Sequence, residues 1–177
     1  MKTRVWMIAA AMLLSACVGV PDGITPVANF ERDRYLGKWY EVARLENRFE
    51  AGMSQVTATY SLNDDGSVAV LNRGFVDAEG SWTEAEGVAK FVDNDDLGHL
   101  KVSFFGPFYS SYVVFELAED YSHSFVTSRD KSYLWLLSRT PIADDALKQH
   151  FVARARELGF AADEIMFIDQ SQHTAAN

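Results

Sequence analysis

From residue 39 onward, apolar and polar positions alternate in short runs separated by turn residues, the period-two pattern of half-buried strands. Residues 39–45 form the first run. In the second, Val56, Ala58, Tyr60 and Leu62 share one face, while Thr57, Thr59 and Ser61 share the other. Asn63-Asp64-Asp65-Gly66 then supplies a hairpin turn, because Asp-Gly accepts positive φ. Further strands are predicted over 67–74, 82–91, 98–105, 109–117, 124–128 and 133–139, which makes eight. Only then does the period change. Leu147, Phe151, Ala155 and Leu158 fall at helical spacing, with Asp144 as N-cap and Gly159 placed to end the helix. Phe167 and Ile168 predict a short last strand.

Eight antiparallel strands joined by short connections can close into a barrel, which removes both sheet edges. A sandwich is the competing architecture. Residues 133–137 argue against it, since Tyr133-Leu134-Trp135-Leu136-Leu137 is apolar on both faces and both need cover. In a barrel with the helix packed outside, Leu134 and Leu136 meet the helix, and Tyr133, Trp135 and Leu137 face the lumen. The expectation is therefore an all-β protein: an eight-stranded antiparallel up-and-down barrel with a C-terminal α-helix on its outer wall. Arg139 continues the inward parity of Trp135. The start of the first strand lies beside the end of the eighth, so Arg139 is expected to stack on Trp39 and close one end. Gly37 lets the chain turn into the first strand without a side chain in the way.

The chain has 177 residues, 48% hydrophobic and 13% aromatic, with a formal charge of -9. That suffices for one domain and disfavours nucleic acid, whose phosphates need a basic surface. At the N-terminus, Lys2 and Arg4 precede an apolar run over 5–14, far short of the roughly 20 residues that span a bilayer. Residues 1–16 read as a secretory signal. Cys17 is the only cysteine, so no internal disulfide can form. Leu14-Ser15-Ala16-Cys17 resembles the bacterial lipoprotein lipobox, which implies acylation of Cys17 and, with Val18 following, an outer-membrane address. Residues 17–29, with two prolines and two glycines, read as a tether or an extended lead-in. The domain is expected over 30–170, and 171–177 form a tail.

Gly37-Lys38-Trp39-Tyr40 resembles the Gly-x-Trp-Tyr signature of the lipocalins, and Arg139-Thr140-Pro141 fits their Arg-x-Pro element. Asp120-Tyr121 resembles their middle signature, although Glu119 stands where threonine is usual. The stretches 70–74, 101–108 and 133–141 are similar to the bacterial outer-membrane lipocalins and to apolipoprotein D. The resemblance implies a non-enzymatic binder of a fatty acid or lysophospholipid, lipid-anchored, facing the periplasm and serving envelope maintenance. A lipid-modifying enzyme on the same barrel is the alternative.

Inward parity nominates Val56, Ala58, Tyr60, Val70, Asn72, Ala89, Phe91, Leu100, Val102, Phe104, Tyr112, Val114, Tyr133 and Trp135 as ligand-binding, against the alternative of a filled core. Gly87 and Ala89 favour a cavity, being small where a solid core needs bulk. Gly37, Trp39 and Arg139 are structural. Glu41 and Ala43 share Trp39's face, so Glu41 meets a basic group, holds a polar ligand head, or is exposed by strand twist. The aromatic connection over 104–109 lies at the mouth opposite Trp39, placed for ligand entry or membrane contact, for a second protomer in a homodimer, or for packing within the loop. The four histidines lack metal-ligand spacing, so no metal site and no cofactor are expected.

Overall fold

The computed structural model describes residues 18–174; the signal segment 1–16 and Cys17 lie outside the described residues. A short helix α1 (Arg32–Tyr35) leads into β1 (Gly37–Leu45), β2 (Met53–Leu62), β3 (Val68–Val76), β4 (Ser81–Phe91), β5 (His99–Phe105), β6 (Phe108–Leu117), β7 (His123–Thr127) and β8 (Leu134–Ser138). They follow one another in space as antiparallel neighbours, and β1 pairs with both β8 and β2 to close the barrel. Helix α2 (Asp145–Glu157), strand β9 (Ile165–Phe167) and helix α3 (Ser171–Thr174) complete the chain. The period-two runs thus became strands within a few residues of their predicted limits. The Asp144 side chain caps α2 by accepting from the Leu147 amide at 2.7 Å, and Gly159 ends it at φ 78°.

Two apolar cores share one wall. Outside the barrel, Phe151 and Ala155 of α2 pack on Phe125, Leu134, Leu136 and Val113, with Phe160 and Ile24 beside them. Inside, Trp39, Tyr60, Val70, Ala89, Leu100, Val114, Val126 and Leu137 form the second cluster. Leu134 and Leu136 point out while Leu137 points in, which is why β8 has no polar face.

β9 takes the edge of β1 that β2 leaves. Gly37 to Tyr40 pair with β2, whereas Ala43 to Leu45 pair with β9. In the opening between the two ladders, the buried Gln170 donates to the carbonyls of Glu41 at 2.8 Å and Val56 at 2.9 Å. Those acceptors would otherwise be buried without a partner.

The lead-in before the barrel lies along the outer wall of β5 and β6. Ser111 Oγ donates to the Gly19 carbonyl at 2.6 Å, the Val27 amide bonds the Val114 carbonyl at 2.9 Å, and the Phe30 amide bonds the Asp96 carbonyl at 2.8 Å. Of tether and lead-in, the described residues show the latter.

Candidate functional site

The lumen has a closed end and an open one, set by strand direction. β1 starts and β8 ends at the closed end. There the Arg139 guanidinium lies 3.8 Å from the centre of the Trp39 ring. It donates to the carbonyls of Lys38 at 3.0 Å and Arg34 at 2.7 Å. Trp39 is fully buried, and its indole Nε1 donates to the Tyr35 carbonyl at 2.8 Å. Gly37 sits at φ 94°, and a Cβ there would stand 3.3 Å from Arg139 Nη1, so both conformation and space favour glycine.

Above the indole lies a knot of hydroxyls. Tyr112 shares hydrogen bonds with Tyr35 at 2.8 Å and Tyr60 at 3.0 Å, and Tyr35 shares a third with Ser124 at 3.0 Å. Burial pushes the Tyr35 phenol up to about 12 and raises Tyr60 and Tyr112 well above their ordinary value. All three stay neutral, so the knot is a polar but uncharged floor. Phe30 and Tyr35 pack into this half of the lumen from outside the strands. Strand parity could not announce them, because neither lies on a barrel strand.

Toward the mouth the lining becomes apolar and partly accessible. Val102, Phe104 and Trp135 pack on the inner cluster yet are only partly buried, whereas the half-buried Phe91 ends β4 beside Phe30 at the closed end and Ala58 pairs with Trp39. Tyr133 precedes β8 and stacks on Trp135 with ring centres 5.7 Å apart. Val56 lies beside Gly74, where a Cβ would stand 3.4 Å from it. Asn72 pairs with Ala58 and Ala85, and its buried Oδ1 has no hydrogen-bond partner. A Cβ at Gly87 would meet the Phe104 ring at 2.9 Å, so Gly87 makes room for Phe104 rather than for empty space.

In β1 the alternation breaks. Its pairing with β8 shifts register between Glu41 and Ala43, a β-bulge at Val42. Glu41 keeps Trp39's inward face, but Ala43 turns out against the helix core and Arg44 turns in, opposite Trp135. Arg44 was invisible to plain alternation, and a bulge leaves no signal in the hydrophobic pattern. Arg44 Nη1 donates to Glu41 Oε1 at 2.7 Å, and both are fully buried. Nη2 donates to the Glu50 carbonyl at 2.7 Å. The Glu50 carboxylate accepts from Trp135 Nε1 at 3.0 Å and Asn47 Nδ2 at 2.6 Å. Residues 46–52, which join β1 to β2 at the mouth, are thereby stapled to the inner faces of β1 and β8. Burial first, and then the neighbouring Glu50 carboxyl, hold the Glu41 carboxyl well above the usual carboxylate range, against the pull of Arg44. Of the readings for Glu41, the structure shows the basic partner.

Outside the lumen, a shallow hollow of about 700 Å³ runs over Thr59, Ser61, Ala69, Leu71, Glu86 and Val88. Most of these residues alternate with the inward Tyr60 and Val70, so the hollow lies mainly on the outer wall and reaches Val70, Gly87 and Phe104 at its edge.

The geometry agrees with what the chain is similar to. Residues 30–170 match the model of the lipocalin-like domain. The chain is 50% identical over 167 residues to the outer membrane lipoprotein Blc of Vibrio cholerae serotype O1, covering 94% of this chain and 98% of that protein. It is 47% identical over 163 residues to the outer membrane lipoprotein Blc of Escherichia coli K12, covering 91% and 92%. Among solved structures, insecticyanin from the tobacco hornworm Manduca sexta superposes with a TM-score of 0.68 at 17% identity, covering 85% of this chain and 86% of that one. That last likeness concerns the fold alone.

Proposed function

The chain belongs to the lipocalin-like family, and from that premise we propose that it is a lipid-anchored outer-membrane protein that holds a fatty acid or lysophospholipid in its barrel. The observation that carries this reading is the two-part lumen: a neutral floor of hydroxyls, then apolar walls that remain accessible from the mouth. An acyl chain laid against Val102, Phe104 and Trp135 gains about 0.8 kcal/mol for each buried methylene. The polar head would meet the Glu41–Arg44–Glu50 cluster, where the buried Arg44 Nε has no protein partner. Asn72 Oδ1 offers an unpaired acceptor on the inner face of β3. Outer-membrane address and acylation of Cys17 fit the names of the Vibrio and Escherichia relatives.

The test is native mass spectrometry of the protein purified from membranes, followed by delipidation and reloading with palmitate or lysophosphatidylcholine. One intact lipid per chain is the expected result. Release of hydrolysed product would transfer the reading to the lipid-modifying enzyme. No uptake of either lipid would remove the carrier reading altogether.

A further inference from the structure

Among the described residues, three of the four exposed phenylalanines stand at the mouth; the fourth, Phe167, is 49% exposed on β9, and Ile142, 67% exposed, follows β8 at the closed end. Phe49 is 58% exposed, Phe105 79% and Phe108 78%. All three lie at the mouth end. Phe49 belongs to the β1–β2 connection, and Phe105 and Phe108 flank the β5–β6 turn. In the strand order β2-β3-β4-β5-β6-β7-β8-β1, those two connections are on opposite sides of the barrel. The exposed rings therefore do not form a one-sided patch. They stand on both sides of the opening, an arrangement suited to a flat apolar surface rather than to a groove-filling partner.

The N-terminal segment supplies an independent constraint. Gly19 is tied to Ser111, which is three residues from Phe108 along β6. At the rise of a strand, that places Gly19 roughly 10 Å from the rim. Cys17 precedes Gly19 by two residues, a reach of roughly 7 Å. Val20 packs on the outer core, so the lead-in cannot swing freely to the closed end. The point where the chain leaves the wall is thus near the same rim that carries the phenylalanines.

We infer that the barrel docks mouth-first on a lipid bilayer, with Phe49, Phe105 and Phe108 inserted among the lipids that hold the acyl chains of Cys17. The ligand would then pass between lumen and leaflet without crossing water. The four mouth connections, 46–52, 77–80, 106–107 and 128–133, hold three basic side chains and five acidic ones. Anionic lipid is therefore not needed, and docking proceeds on a zwitterionic surface by apolar insertion, with weak salt dependence.

This inference rests on the lipoprotein reading but not on the identity of the ligand. Because acylation consumes the only native thiol, Phe49→Cys, Phe108→Cys and Leu62→Cys each offer one site for an environment-sensitive fluorophore on the acylated full chain. Leu62, at the closed end, is 48% exposed and serves as the contrast. In phosphatidylcholine vesicles, labels at 49 and 108 should shift to the blue and lose at least five-fold in quenching by aqueous iodide, while the label at 62 stays quenched. Double Phe105→Ser, Phe108→Ser should restore quenching at 49. Labels at 49 and 108 that stay quenched, or a label at 62 that is protected, overturn the inference. Protection that appears without vesicles and grows with protein concentration assigns the rim to a second copy of the chain, and overturns it too. A protein that does not float with the vesicles lacks its acyl anchor, which is a failure of the lipoprotein reading and is recognised before any label is read.

Discussion

Arg139→Ala separates what seals the barrel from what fills it. The guanidinium makes two well-formed hydrogen bonds, at 3.0 and 2.7 Å, to the carbonyls of Lys38 and Arg34. A charged donor contributes roughly 1.5–3 kcal/mol in a buried setting. Arg139 is only partly buried, and both carbonyls regain water when it is removed, so about 1 kcal/mol for each bond is the defensible figure. Stacking over Trp39 at 3.8 Å adds about 0.5–1 kcal/mol, since one side of the guanidinium is wet. The expected loss is about 3 kcal/mol, which for a domain of this length lowers Tm by about 6–12 °C. The assay is urea unfolding followed by tryptophan fluorescence, paired with fatty-acid affinity at a temperature where both proteins are folded. Affinity should stay within about three-fold, because Arg139 lies beyond the hydroxyl floor. Arg139→Lys keeps the charge but not the fork, and should recover less than half of the loss. A variant within about 0.5 kcal/mol of the parent, or one whose affinity collapses while stability holds, would refute the assignment of Arg139 to the seal.

Three other outcomes are expected. Trp135→Ala removes an indole from the accessible wall and the Nε1 bond to Glu50; fatty-acid affinity should fall by about ten-fold or more, and an unchanged displacement curve would take Trp135 out of the pocket. Glu41→Gln should alter the pH dependence of stability. The folded-state pKa of Glu41 stands above its ordinary 4.5, so its contribution is fully present below that pH and is lost as pH rises through the raised value. Relative to the parent, the variant therefore gains stability with rising pH across that window, as chemical denaturation at several pH values would show; parallel curves would contradict the raised pKa. Phe151→Ala empties the centre of the outer core and should cost about 3–5 kcal/mol in the same unfolding assay while leaving ligand affinity unchanged.

How far the chain could be read follows from what alternation encodes. Strand faces were legible wherever pairing is regular: Tyr60, Val70 and Leu137 point in, and Leu134 and Leu136 point out, as parity requires. The seal was legible because Trp39 and Arg139 lie at fixed ends of neighbouring strands. What failed is what breaks the period or comes from outside it. The bulge at Val42 reversed Ala43 and brought Arg44 inside, and a similar shift in β6 between Val114 and Glu116 turns Glu116 out toward His150 and Arg154 of α2. Gly87 was read as space, whereas the Phe104 ring occupies it. Phe30 and Tyr35 reach the lumen from a lead-in and a one-turn helix that no periodic signal marks.

The hydroxyl knot also sets a length. Tyr112 lies four residues below Phe108 on β6, so the floor is roughly 13 Å beneath the rim. A guest tail meets tyrosine oxygens there instead of more hydrocarbon, and further carbons must stay outside in the lipid or the solvent. The protein thus carries a built-in ruler: affinity should climb with each added carbon until the tail touches bottom, and level off beyond that point.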